Sequence, residues 1–244
     1  MISKERLGLS VVALMLSVSV AAAADFKLRD VKDIALGQSL EAATQAAINQ
    51  GFVQHRTKPV KVGQRDFQVD AFYERSFSKQ DTKERIELRA AAEQFGSGIT
   101  FVEYLREFDE PRADANKLHS QIIENAGTEP TCENNQNGLG WTVDRDHNYH
   151  RKASLSSKRC ISYLAGYSIP EMTRHVAFDK LKEDDEFIGF WARIEDIRFG
   201  EKATAGRLRV SYRSFADEID VVSDALSVSR ALASKEKTVD KVDF

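Results

Sequence analysis

The sequence predicts an α+β fold, with antiparallel sheet and helices packed on one of its faces. Three observations predict it. Phe67, Val69, Ala71 and Tyr73 alternate with polar neighbours, the two-residue period of a half-buried strand. Two segments carry apolar residues at helical spacing between start and stop signals. Strands fall in runs between helices, which favours antiparallel meanders over parallel crossovers. The order reads as helix, three strands, helix, loop, three strands, helix, a tandem helix-plus-three-strand repeat. Its parts are residues 25–131, a first α+β module; 132–160, a loop; 161–234, a second module; and 235–244, a charged tail.

Residues 1–24 precede these modules as a signal peptide. Lys4 and Arg6 come before an apolar run from Leu7 to Val20, and Ala22 and Ala24 satisfy the small-residue rule for cleavage before Asp25. The run is shorter than the roughly 20 apolar residues of a spanning helix. No later stretch is long and apolar, so no membrane span is expected after cleavage, and the destination is the periplasm or the medium.

Residues 30–36 read as a short strand with Val31, Ile34 and Leu36 apolar. Ser39 is placed to cap a helix reaching about Gln50, with Leu40, Ala43, Ala47 and Ile48 on one face and Gly51 at its end. Residues 55–64 are basic and polar, contain Pro59 and Gly63, and read as a loop. Strands are expected over 67–73, 86–92 and 99–108, the last two joined through Gly96-Ser97-Gly98. Asp109-Glu110-Pro111 opens a second helix over 112–126, striped by Ala115, Leu118, Ile122 and Ala126 and ended by Gly127. Past the loop, 161–167 and 187–199 read as strands, with Gly189 a candidate bulge. Residues 171–186 show no clear period, and 200–206 form a hairpin loop. Leu208, Val210 and Tyr212 alternate with arginines, and a last helix spans 216–234 with Val221, Ala225, Val228 and Leu232 on one face. The tail is expected to fray.

The chain has 35 basic and 38 acidic residues, a net charge of −3, which lacks the basic excess of a nucleic-acid binder. Cys132 and Cys160 are the only cysteines. In an exported protein the simplest reading is a disulfide, closing a loop of about 28 residues and constraining the unfolded chain by about 3–4 kcal/mol. A metal or redox pair would favour a close C-x-x-C spacing, which is absent.

The stretch Asp33-Ile34-Ala35-Leu36-Gly37-Gln38-Ser39-Leu40-Glu41-Ala42-Ala43, closing at Gly51-Phe52, resembles the opening of small exported bacterial α/β modules. The second helix followed by Gly127-Thr128-Glu129-Pro130-Thr131 is similar to another of their elements. The relatives in view are the β-lactamase inhibitor protein and the outer-membrane assembly lipoproteins of the SmpA/OmlA type. The resemblance implies helices on one face of an antiparallel sheet and a role in binding other proteins. The chain departs from the lipoproteins in having no cysteine after the apolar run, and no functional residue carries over.

Among residues that could carry chemistry, Asp144, Asp146 and Asn148 match positions 1, 3 and 5 of a calcium loop. Tyr149 stands where that loop needs Gly, Leu155 where it needs Glu, and Arg145, Arg151 and Lys152 repel a cation. His147 and His150 lack a third ligand nearby, and His55, His119 and His175 are scattered. No nucleophile elbow, zinc-protease helix, phosphate loop or dinucleotide fingerprint occurs. Glu103, between apolar strand neighbours, is the carboxylate to examine for burial. Arg207, Arg209 and Arg213 form a basic stripe with which Glu195 and Arg193 on the preceding strand could pair across a sheet, as a solvated charge ladder or as a partner site. Trp141 and Tyr149, in a polar loop rich in Asn, suit protein recognition; for Trp141 a place in the local core stays open as the alternative.

The expectation is an exported, non-catalytic periplasmic binding protein that needs no cofactor or metal. Its partner is another protein, in the manner of an inhibitor, immunity or envelope-assembly factor, engaged by a sheet face or by the loop through Trp141 and Tyr149. Two alternatives stay open: a periplasmic hydrolase with a carboxylate or histidine site, and a calcium- or ligand-binding periplasmic protein.

Overall fold

The computed structural model describes residues 26–62, 65–76, 83–96, 98–134, 138–144 and 187–239. Its elements begin with a small hairpin, β1 (Asp30–Val31) and β2 (Ile34–Ala35). One strand was expected here. Instead Lys32 and Asp33 both take positive φ, 57° and 58°, the left-handed pair that a two-residue hairpin turn uses. Lys-Asp is not a recognised turn signature, so the reversal is invisible to a composition rule.

Helix α1 (Leu40–Asn49) starts as expected, with Ser39 Oγ accepting from Ala42 N at 3.2 Å. Gly51 N donates to Ile48 O at 2.8 Å and Phe52 N to Ala47 O at 3.1 Å, the double bond of a Schellman end, and Phe52 is buried. Ala43 and Ala47 form its buried stripe; Ile48, expected with them, is exposed. Gly37 N donates to Ile99 O and Ile99 N to Gln38 O, both at 2.8 Å, pressing the chain before α1 onto the sheet. A Cβ on Gly98 would sit 3.2 Å from Gly37 Cα, a tight backbone contact, and Gly37 itself takes φ 78°, so each position favours glycine for its own reason.

The main sheet has nine strands, all paired antiparallel. They are β3 (Val53–Val62), β4 (Arg65–Ser76), β5 (Lys83–Ala91), β6 (Ile99–Glu107), β7 (Ala113–Asp114), β8 (Cys132–Asn134), β9 (Gly138–Asp144), β10 (Phe187–Arg198) and β11 (Thr204–Ser214). Their order is β3-β4-β5-β6-β11-β10-β9-β8, with short β7 also on β11. The stretch expected to be a loop, 55–64, is largely edge strand β3. It is mostly exposed, so it shows no alternation, and Pro59 is tolerated where the outer side needs no N–H bond. Segment 132–144, also expected to be loop, supplies β8 and β9. Because β6 pairs with β11 over Arg207–Arg213, the two expected halves share one sheet.

One sheet face is apolar. Ala71, Leu88, Val102, Tyr212, Phe190 and Trp141 stand in one row across six strands. Tyr73, Ile86, Tyr104, Val210, Ala192 and Leu139 stand in the next. Helix α2 (Ala115–Ala126), capped by Asp114, and α1 share the core with this face through Ala115, Ile122, Ala126, Ala43 and Ala47. Phe26 joins there, edge-on to Phe190 at 5.8 Å, and is itself buried.

The last helix, α3 (Phe215–Val239), departs from the expected one-faced packing. Its buried Glu218 accepts from Arg213 Nε at 2.5 Å. Arg213 neighbours Tyr212 along β11, so it points to the opposite face. Buried Phe101 and Arg89 share its row, and α3 adds buried Val221 and Ala225. A face carrying buried aromatic and guanidinium groups needs cover and counter-charge, and α3 brings both.

Candidate functional site

The strand residues that alternate with the core rows build the second face, and most are charged. Glu74, Arg85, Leu105, Arg209 and Arg193 form one row, and Phe72, Glu87, Glu103, Ser211 and Trp191 the next. Arg209 lies between two carboxylates, with Nη1 2.5 Å from Glu103 Oε1 and Nε 3.3 Å from Glu195 Oε1. Arg207 reaches Glu107 at 3.6 Å and Glu195 at 4.0 Å, and Arg193 reaches Glu195 at 3.7 Å. The cross-strand ladder expected from Arg207, Arg209 and Glu195 is therefore present. Arg213 is not part of it, being buried against Glu218.

A depression of about 280 Å³ opens beside this ladder, lined by Phe72, Glu74, Arg85, Glu87, Glu103, Leu105 and Arg209. Arg85 Nε is 2.9 Å from Glu74 Oε1, and Glu87 Oε1 is 3.2 Å from Arg89. The Glu103 side chain is only 15% exposed. Burial raises its carboxyl above the ordinary glutamate value; Arg209 opposes the shift and Glu87 adds to it. Beside Glu103, the hydroxyl of Ser211 and the indole N–H of Trp191 are buried without a hydrogen-bond partner among the described residues. Glu103 was the one carboxylate that strand periodicity singled out. Ser211 and Trp191 escaped notice, since a lone Ser or Trp in an alternating strand reads as ordinary surface or core.

A second charged cluster ties the periphery together. The Glu84 side chain, 3% exposed, meets Arg75 Nε at 3.1 Å and Arg106 Nε at 3.6 Å. Lys32 Nζ sits 4.6 Å from the Tyr104 ring centroid. Burial would raise the Glu84 carboxyl, but hydrogen bonds from Arg75 and Tyr104 and nearby positive charge outweigh it and hold it below the ordinary value. Arg75 stacks over Phe52 at 4.6 Å and donates to Gln50 O, so this network joins the end of α1 to β4 and β5.

The recognition residues expected in the loop fare differently. Trp141 lies in β9, fully buried, its Nε1 donating to Thr128 O at 3.0 Å and its ring edge-on to Phe190 at 5.8 Å. That is the core placement left open above, and a buried indole offers a partner no surface. Tyr149, Cys160, Asp146, His147, Asn148, His150 and His175 lie outside the described residues. Cys132 opens β8. His55 pairs with Glu74 at 3.4 Å on the exposed edge strand. Among the described residues no group of three or more His, Cys, Asp or Glu could hold a metal ion. No helix of the described residues is long and apolar enough to cross a membrane. No protein-family model, curated protein or solved structure matches the chain.

Proposed function

We propose that this chain is an exported, non-catalytic binding protein that engages another protein through the charged face of its sheet. The observation that carries the reading is Arg209, fixed between Glu103 and Glu195 beside a depression lined also by Leu105 and by Phe72, whose ring carries Arg56 at 4.5 Å. Charged groups already held in place lose little freedom on docking, and their pattern selects partners by complementarity. Apolar contacts amid a polar rim are what a transient interface uses. The resemblance to the β-lactamase inhibitor protein and the assembly lipoproteins points the same way. Export to the periplasm or the medium rests on the N-terminal signal. Phe26 supports the cut before Asp25, since cleavage further along would remove a core aromatic. The Cys132–Cys160 disulfide belongs to the same proposal.

The test is affinity capture from a bacterial envelope extract. Arg85→Glu/Arg207→Glu reverses two exposed charges on the face; Lys117→Glu reverses one on α2 as a control. Loss of a captured protein with the first variant alone is the expected result. The same proteins with all three forms would sink the reading.

One observation favours a hydrolase as second reading: Glu103, with its raised carboxyl, stands directly opposite Glu87. Two facing carboxyls at the edge of a depression, one of them raised by burial, suit general acid–base work. Hydrolysis of a panel of ester, peptide and glycoside substrates, lost in Glu103→Gln, would support it; a wild-type chain inert toward the panel would count against it.

A further inference from the structure

Strand β3 ends the sheet, paired with β4 on one side only. It carries Arg56, Lys58 and Lys61 and no carboxylate. Strands β3, β4 and β5 together hold eight Lys and Arg against five Asp and Glu, in a chain whose net charge is −3. The excess collects at the edge. Glu74 is taken by Arg85 and His55, and Asp66 by Lys61. Arg56 lies over the Phe72 ring, and Lys58 stands opposite Asp70, whose Oδ1 accepts from Gln68 instead. Neither Arg56 nor Lys58 forms an ion pair among the described residues, and both are exposed. Two residues apart on one strand, they border the charged face of the sheet. Pairs in an antiparallel ladder alternate between bonded and open, and Pro59 has no N–H to give β4. Pro59 and Thr57 therefore take outward positions, and Thr57, between the two cations, turns its N–H and C=O away from the sheet.

We infer that this edge binds an acidic, extended segment of the partner protein. The inference rests on the docking reading of the charged face and names the chemistry that meets its border. Carboxylates at alternate positions of an extended chain fall on one side of it, the spacing of Arg56 and Lys58. The segment's own backbone then meets Thr57, as in strand addition to a sheet edge. A second copy of this chain does not fit, because two β3 strands would set like charges against each other. Pro59 and the register shifts at Gln54/Arg56 and Val60/Lys61 keep any added ladder short, so charge selects the segment more than strand pairing does.

The probe is acetyl-Thr-Glu-Thr-Glu-Thr-Glu-amide, followed through the backbone amides of the 15N-labelled protein, with the neutral isostere acetyl-Thr-Gln-Thr-Gln-Thr-Gln-amide beside it. Saturable shifts of Thr57 and its neighbours with the glutamate peptide alone are expected, weakening as salt rises. Affinity should be about fivefold weaker in Arg56→Gln/Lys58→Gln, whose exposed positions leave the fold intact, and unchanged in Lys117→Gln on α2. No saturable shift, equal shifts with the glutamine peptide, or undiminished affinity in the double variant would each overturn the inference. Inorganic polyphosphate shifting the same amides as strongly as the glutamate peptide would overturn it in favour of any polyanion. Capture separates its failure from that of the docking reading. A partner lost by Arg85→Glu/Arg207→Glu but kept by Arg56→Gln/Lys58→Gln overturns the acidic segment alone. A partner kept by Arg85→Glu/Arg207→Glu overturns both.

Discussion

Arg213 is buried together with Glu218, and removing either charge takes a close counter-charge from the other. Burial lowers the Arg213 pKa and Glu218 opposes the shift. Breaking a buried pair from one side costs about 3–5 kcal/mol, whereas replacing both partners by apolar groups is far milder. Urea unfolding of Glu218→Gln should show a loss of about 3 kcal/mol or more. The double change Arg213→Met/Glu218→Leu should recover most of it. Glu84 makes a separate prediction about pH. Its folded pKa lies below the unfolded value, so its contribution is fully present above about pH 4.3. That contribution disappears as pH falls through the lowered folded value. Glu103 runs the other way: its raised pKa favours the folded state as pH falls. Carboxyl 13C titration should find Glu84 below and Glu103 above an ordinary glutamate. The reverse order would contradict the packing described for both. A residue's setting is the part least legible in sequence. Trp141 reads as a recognition aromatic in a polar loop, and Trp191 carries no signal of its own. Only strand register shows that they point to opposite faces.

Local chemistry makes some elements legible and leaves others hidden. Helices α1 and α2 were readable because Ser39 and Gly127 announce an end through their own conformational preferences. Ser39→Ala should cost about 1 kcal/mol in thermal or urea unfolding. Strands β4, β5 and β6 were readable from alternation, since one face of each is core. Edge strand β3 was not, because it has no deep core face and its Pro59 mimics a loop signal. Strand β9 was hidden by its glycines, Gly138 and Gly140, which carry no side chain to mark a period. The β10–β11 pair holds a further irregularity. Asp196 takes φ 53°, and Arg112 Nη1 donates to its Oδ2 at 2.8 Å. A Cβ on Gly206, across the ladder, would collide with both groups. Gly206→Ala should therefore displace the Arg112–Asp196 pair, whose clashing atoms are side-chain ends, and destabilise by no more than about 1 kcal/mol. An unchanged unfolding midpoint would show that the pair yields without cost.

At the scale of the whole molecule, one broad antiparallel sheet divides the labour between its faces. The apolar face, under α1, α2 and Phe26, makes the core. The other carries α3 near one end of its strands and the charge ladder beyond it. The coarse α+β class was legible because both element types leave periodic traces. The joining of the two halves was not, because pairing of β6 with β11 is a contact between segments about 100 residues apart, and no local pattern encodes it. Phe26 ties the start of the described chain into this whole. Sequencing of the exported protein should begin at Asp25, and Phe26→Ala should cost about 3–5 kcal/mol. Mass spectrometry without reductant should find Cys132 and Cys160 joined; two free thiols would remove the disulfide. The docking face itself is tested most directly by photo-cross-linking in the living cell envelope. p-Benzoylphenylalanine in place of Arg85, on the charged face, is compared with the same group in place of Ser120, on α2. A discrete protein adduct from position 85 and none from position 120 is the expected result. An adduct from position 120 alone, or from neither position, would contradict a partner docked on the charged face.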